Sequence, residues 1–363
     1  MRLFQNSAVY PAYLPRLRTL DSNCRTFAAA LRAFLEDRFG ACHILEPVLA
    51  GDPTSFFTNG HDEKLQQLWA RERGMPNSAS LRDILYAQIE EHRTEVFYNL
   101  DPMRYQSDFI RGLPGCVRRC IAWRAAPSPG ADFSAYDCVV CNFPGILQNY
   151  AAQGWNVGYF APAVDPIMEE YAANENRRTD ILFVGSYSRH HRQRAAILES
   201  VAGQCAEFRV AFHLDCSRLT RTAESPLGRL LPLRAHRRPG SIRRLALRPV
   251  YGRELYAAFG NAKIVLNGAI DMAGDERGNM RCFEATGCGA ALVTDAGKYP
   301  PGFVDDSTMC TYTSADDVVR VLRVLLEDQG RLQRIRTCGF AEMSSRYSKA
   351  AQWRDFMNLI DRF

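Results

Sequence analysis

Along the chain, short apolar runs bounded by proline, glycine and polar turns alternate with longer stretches whose apolar residues recur at helical spacing. Residues 1–6 predict an opening strand. Phe27, Leu31, Phe34 and Leu35 recur at helical spacing, which predicts a helical stretch over 20–39. A second apolar patch, 42–49, reads as a strand. Residues 63–73 and 81–93 read as helices, 95–100 as extended, and 117–123 and 135–141 as strands between turn signals. Residues 158–166 form an extended exit, and the polar stretch 174–178 a linker. A fresh buried strand, Asp180-Ile-Leu-Phe-Val-Gly-Ser186, then ends in a loop before a helix over 192–199. Further strands are expected at 208–214, 263–267 and 290–294, and helices at 315–327 and 331–346. The last stretch, 350–363, is amphipathic. Strands alternating with helices predict an α/β fold with parallel sheets, and the opening at 180–199 is Rossmann-like.

Composition narrows the class. At 363 residues the chain suits two domains, read as 1–165 and 166–347, with 348–363 packing back on the first. Its 47% hydrophobic and 23% charged residues are ordinary for a soluble globular protein. A net charge of +5 permits acidic partners without requiring nucleic acid, and none is expected. The start, Met-Arg-Leu-Phe-Gln-Asn-Ser, has no long apolar core, and no apolar run is long enough to span a bilayer, so the expectation is a cytoplasmic protein. The twelve cysteines read as reduced thiols. Cys138 and Cys141 form a C-x-x-C pair, but 136–142 reads as a strand and zinc pairs usually sit on tight turns; buried thiols and no metal site are expected.

The chemistry concentrates in 274–295. Gly278 opens a short helix, and Glu276 and Glu284 stand with seven residues between them. Unsatisfied N–H groups and the positive end of the dipole make a helix start an anion site, and a glycine there lets phosphate approach the backbone. Arg277 and Arg281, four apart, are expected on one face beside that turn. Asn279 and Met280 complete the turn. Glu284, expected about two turns inside the helix, is suited to accept both hydroxyls of a ribose. Gly185 and Ser186 end the 180–186 strand, where backbone amides meet phosphate. Arg189 and Arg192 are candidates to neutralise a leaving diphosphate, and Asn267 ends its own strand facing the same region. Lys263 reads as a strand edge. In the first half, His61 and Asp62 are candidates for an acceptor-side base, the alternative being a local hydrogen bond.

These residues carry a resemblance. Asp180-Ile-Leu-Phe-Val-Gly-Ser186, Val250-Tyr-Gly-Arg-Glu-Leu-Tyr256, Lys263-Ile-Val-Leu-Asn267, Gly278-Asn-Met-Arg-Cys-Phe-Glu-Ala285 and Gly287-Cys-Gly-Ala-Ala-Leu-Val-Thr-Asp295 occur in order. Asn59-Gly-His-Asp-Glu-Lys-Leu-Gln-Gln-Leu-Trp-Ala70 and Tyr136-Asp-Cys-Val-Val140 match more loosely. The set resembles the CgeB-like (spore-maturation-protein-type) glycosyltransferases, a GT-B group with two Rossmann-like domains facing a cleft. The resemblance implies transfer of a sugar from a nucleotide-diphosphate sugar, UDP-sugars favoured, to a hydroxyl of a glycan, lipid-linked glycan or protein. It implies donor binding by the second domain and acceptor binding mainly by the first. Glu284 matches the ribose-binding glutamate, and Glu276 the first glutamate of the E-x7-E pattern of retaining enzymes. Here Arg277-Gly278-Asn279 replaces their glycine-phenylalanine-glycine run, so retention is only slightly favoured over inversion. In a retaining enzyme the leaving phosphate takes the acceptor proton; an inverting one needs a base such as His61. With no D-x-D pair apparent, no obligatory metal or other cofactor is expected. A sugar-nucleotide epimerase and a non-catalytic nucleotide-sugar or glycan binder are the competing readings.

Residues 217–253 carry ten arginines. One reading is an anionic partner, such as membrane phospholipid at the inner face or a lipid-diphosphate acceptor. A solvated arginine-rich loop is the other, and is favoured.

Overall fold

The computed structural model describes residues 1–187, 191–230, 232–268 and 273–363. The chain divides into two compact units, Met1–Ala163 with Lys349–Phe363, and Val164–Ser348. Each holds one six-stranded sheet in which every pairing is parallel.

The first sheet contains β1 (Leu3–Ser7), β2 (Ser55–Asn59), β3 (Val96–Asn99), β4 (Arg119–Trp123), β5 (Cys138–Cys141) and β6 (Val157–Tyr159), in the order β2-β1-β3-β4-β5-β6. Helices cover its faces, so the strands read as apolar runs; β5, Cys-Val-Val-Cys, is wholly buried. The twelve cysteines are free thiols, and burial pushes Cys138 up to about 12. Phe27, Leu65, Leu68, Trp69 and Ile84 form a core cluster of this unit.

The second sheet contains β7 (Thr179–Ser186), β8 (Val210–Asp215), β9 (Ala246–Leu247), β10 (Ala262–Leu266), β11 (Ala291–Asp295) and β12 (Cys310–Tyr312), in the order β12-β11-β10-β7-β8-β9. Its core packs β7, β8, β10 and β11 against the Arg192–Gln204 and Ala315–Glu327 helices.

Arg177, in the expected linker, is buried. Its guanidinium donates to the carbonyls of Ala172 (3.1 Å), Phe259 (3.1 Å), Ala262 (2.9 Å) and Cys288 (3.0 Å). Three of these carbonyls lie at the C-terminal ends of the Met168–Ala172, Arg253–Gly260 and Met280–Gly287 helices. Such ends carry unsatisfied acceptors and partial negative charge, so one cation ties three helices together.

Three expectations are corrected. The helical stretch expected over 20–39 starts late, as Phe27–Asp37, because the Thr26 hydroxyl accepts from the Ala29 N–H and caps it; a separate, unexpected helix, Leu14–Leu20, precedes it. The expected strand at 42–49 is a 3-10 turn, Ala41–His43, and a helical turn, Glu46–Leu49, with a proline in its first turn. Its carbonyls find side-chain donors instead of a strand partner: Lys349 Nζ reaches Ala41 O (2.6 Å) and Ile44 O (2.7 Å), and Gln352 reaches Cys42 O (3.0 Å). Strands β2, β9 and β12, which hold only two to five residues, were not expected.

Candidate functional site

Strand order locates the site. From β7 the chain moves to β8 and β9 on one side, then crosses to β10, β11 and β12 on the other. The reversal falls between β7 and β10, and in parallel sheets ligands bind outside the carboxyl ends of strands at such a point. Gly185 and Ser186 end β7, Asn267 and Gly268 follow β10, and Asp295 ends β11. The Arg192–Gln204 helix starts beside them, and His191, Gln193, Arg194, Gly268, Asp295 and Tyr312 line a small pocket there.

The helix opened by Gly278 runs Met280–Gly287, with Asn279 as its N-cap. Gly278 has φ +111°, a backbone conformation that side-chain-bearing residues rarely adopt. The Asn279 side chain donates to Asn267 Oδ1 (3.3 Å). Asn267 donates to Thr294 Oγ1 (3.2 Å), while its carbonyl accepts from the Tyr312 hydroxyl (2.6 Å). The helix start is thus bound to the ends of β10, β11 and β12.

The helix begins later than the sequence suggested. Glu284 is its fifth residue, little more than one turn inside rather than two. Its side chain is 2% exposed and bonded by Arg281. Burial pushes the Glu284 carboxyl above the ordinary glutamate range, and the Arg281 cation opposes that shift. Arg277 lies before the helix and does not share a face with Arg281, which corrects that expectation. It binds the Asp295 carboxylate and the Gly274 carbonyl (2.6 Å) instead. Its N–H donates to Lys298 O, and the Lys298 N–H to Asp275 O, both at 2.8 Å. Glu276 therefore sits in an isolated parallel bridge opposite Lys298, outside the helix. Gly297 permits the approach, since a Cβ there would lie 2.6 Å from Asp275 O.

The remaining candidates separate. Arg192 is exposed at the first turn of its helix. Arg189 lies outside the described residues. Arg194, two positions on and buried, donates to Gly268 O and lines the pocket. Sequence reasoning missed it together with Asp295 and Tyr312; the sign available was that residues 192 and 194 must face different ways on a helix. Lys263 pairs with Asp180 (2.7 Å) at the opposite end of the strands. Among the described residues no cluster of three or more histidine, cysteine or acidic side chains could hold a metal ion.

In the first sheet the order reverses between β1 and β3. His61, just after β2, reaches this point: its Nε2 lies 3.0 Å from Val9 O, and its buried Nδ1 3.8 Å from the Asp101 carboxylate. Asp62 is buried and ion-paired with Arg18, so the local hydrogen bond to His61 does not form.

Residues 232–358 match the family described as Glycosyl transferase-like. No curated protein matches the sequence. Among solved structures, Anabaena Alr3699/HepE in complex with UDP is similar in fold, with 11% identity, 100% of each chain covered and a TM-score of 0.60. A glycosyltransferase from Rickettsia africae matches with 9% identity, 98% of this chain and 97% of that one covered, and a TM-score of 0.56. Sucrose-phosphate synthase from Thermosynechococcus elongatus matches with 9% identity, 99% and 98% covered, and a TM-score of 0.55. The chain has the α/β GT-B fold of two Rossmann-like units, and its glycosyl transferase-like segment and GT-B neighbours support a glycosyltransferase.

Proposed function

We propose that the protein transfers a sugar from a nucleotide-diphosphate sugar, a UDP-sugar by preference, to a hydroxyl of a glycan, lipid-linked or protein acceptor. The observation that carries this is the Met280–Gly287 helix: a glycine-opened N-terminus at the sheet's reversal point, with a buried carboxylate one turn behind it. The diphosphate lies against the amides at Gly278 and Asn279 and those following Gly185 and Ser186. The ribose hydroxyls donate to Glu284. Complexes of Alr3699/HepE with UDP and UDP-glucose favour uridine.

As the glycosidic bond breaks, positive charge develops on the sugar carbon and negative charge on the departing diphosphate. Helix N–H groups and the arginines at 189, 192 and 194 meet the latter. Neutralisation is assigned to amide and guanidinium groups, so no divalent ion is required. Retention is slightly favoured, with Glu276 beside the donor sugar and the leaving phosphate taking the acceptor proton. If the transfer inverts, His61 is the candidate acceptor-side base. Within the glycosyltransferases, the ordered motifs favour the CgeB-like group.

Incubation with a panel of nucleotide sugars, with and without hydroxyl acceptors, tests this by release of nucleoside diphosphate. Acceptor-dependent release supports transfer. An isomerised sugar without release indicates an epimerase, and binding without either indicates a non-catalytic binder.

A further inference from the structure

Among the described residues no helix is long and apolar enough to cross a membrane, yet one surface of the second unit has the composition of a membrane-facing one. Residues 217–253, which connect β8 to β9 and run on past it, contain ten arginines and one acidic residue, Glu224. That is an excess of nine positive charges in a chain whose net charge is +5, so the remainder of the protein is net negative.

The described residues of this segment are folded. Ser217 caps the Arg218–Glu224 helix by accepting from the Thr220 N–H (3.0 Å). Arg237 donates to Ala223 O (3.0 Å) and Gly228 O (2.8 Å), binding the turn at 228–230 to the end of that helix. Arg238 forms a two-pronged pair with Glu224 (2.9 and 2.6 Å), which neutralises the single acid. Ile242, buried in the Gly240–Leu245 helix, anchors the segment to the core.

With those groups turned inward, Arg218, Arg221, Arg234, Arg243 and Arg244 are exposed. So are Leu227 (78%) and Leu230 (85%), and Leu219 and Leu247 about half as much. Leucines this exposed on a folded turn, among arginines, match an interface with an apolar and an anionic layer. We propose that this connection docks the protein on an anionic lipid bilayer, guanidinium groups on headgroup phosphates and the 227–230 turn in the acyl boundary. Nucleic acid offers the arginines phosphate but the leucines no apolar phase. A second copy would set like charges face to face. The proposal is independent of the donor assignment.

Each near-surface arginine contributes about fivefold to partitioning, and each buried leucine about tenfold or more. The test is co-flotation of the full chain with vesicles of phosphatidylcholine alone or mixed with phosphatidylglycerol. Flotation is expected only with the anionic vesicles, and falls with added salt. The variants Leu227→Ser/Leu230→Ser and Arg218→Glu/Arg221→Glu each lose it by more than about tenfold, with an unchanged circular dichroism spectrum and thermal midpoint. No flotation, equal flotation with neutral vesicles, or flotation unaffected by either variant overturns the proposal. Competition by duplex DNA that outweighs the vesicles, or a dimer dissolved by the leucine changes in place of a flotation defect, also overturns it.

Discussion

Replacing Glu284 by glutamine separates nucleotide recognition from stability. The carboxylate is buried and bonded by Arg281, whose side chain is 24% exposed. Two hydrogen bonds from ribose hydroxyls to an ionised carboxylate contribute about 1.5–3 kcal/mol each, and a neutral amide oxygen recovers only part. The net loss is about 2–4 kcal/mol, so the Kd for UDP should rise about 30- to 1,000-fold. Folding responds differently. The fold holds the carboxyl above its ordinary range, so its charge is disfavoured there; glutamine relieves that cost while Arg281 turns to water. The thermal midpoint should move by no more than the equivalent of about 1 kcal/mol. Titration calorimetry with UDP, alongside thermal unfolding, measures both. Since the folded pKa is raised, this group makes folding more favourable as pH falls from above that pKa to the ordinary glutamate value. Over the same window the native protein should lose UDP affinity, and the glutamine variant should not. Unchanged affinity in a folded Glu284→Gln protein refutes the ribose assignment.

Further expectations follow from other residues. Gly278→Ala forces a side chain onto φ +111°, at a cost of about 1–3 kcal/mol, and should lower both the thermal midpoint and UDP affinity; no change in either contradicts the strained-turn reading. Arg177→Met removes the donor to four carbonyls and should destabilise the protein by about 3–5 kcal/mol in urea unfolding; a loss below about 1 kcal/mol would show that the helix ends find other partners. Burial, then the nearby Lys349 cation, hold His43 down to about 3, so it stays neutral in the fold while the unfolded chain takes up a proton below about 6.5. Stability should therefore fall by about 1–2 kcal/mol as pH drops from 7 to 5, and by less in His43→Gln; equal pH profiles from urea melts would exclude His43 as the source.

Much of this was legible in residue patterns. The strands at 180–186 and 291–295 and the helices at 63–72, 81–91 and 315–327 follow from apolar spacing, because helices cover both sheet faces and leave a continuous signal. Residues 42–49 misled, since their carbonyls are satisfied by Lys349 and Gln352, about three hundred positions away, which local composition does not encode. At the site, glycine and glutamate types marked the helix start, but its first residue depended on Asn279 meeting Asn267. Arg194 was marked only by facing away from Arg192 on its helix, and Asp295 stayed hidden because its significance comes from strand order. Asp62 looked paired with its neighbour His61, whereas a helix begins at Glu63 and sends the two side chains to different partners.

Val164 and Tyr347, near the two ends of the second unit, share a backbone hydrogen bond of 2.8 Å. On the other side of the cut points, Ala163 donates to Cys42 O (2.9 Å) and Lys349 to Ala41 O (2.6 Å), so both flanking segments meet the same turn. The second unit is therefore a cassette spliced into the first, with its ends in register. Bridging 163 to 349 with a short glycine–serine tether, or expressing 164–348 alone, should leave each module foldable, because little chain entropy is spent closing so small a gap. A different cassette can then be joined at 163 and 349 without interrupting the first unit's sheet.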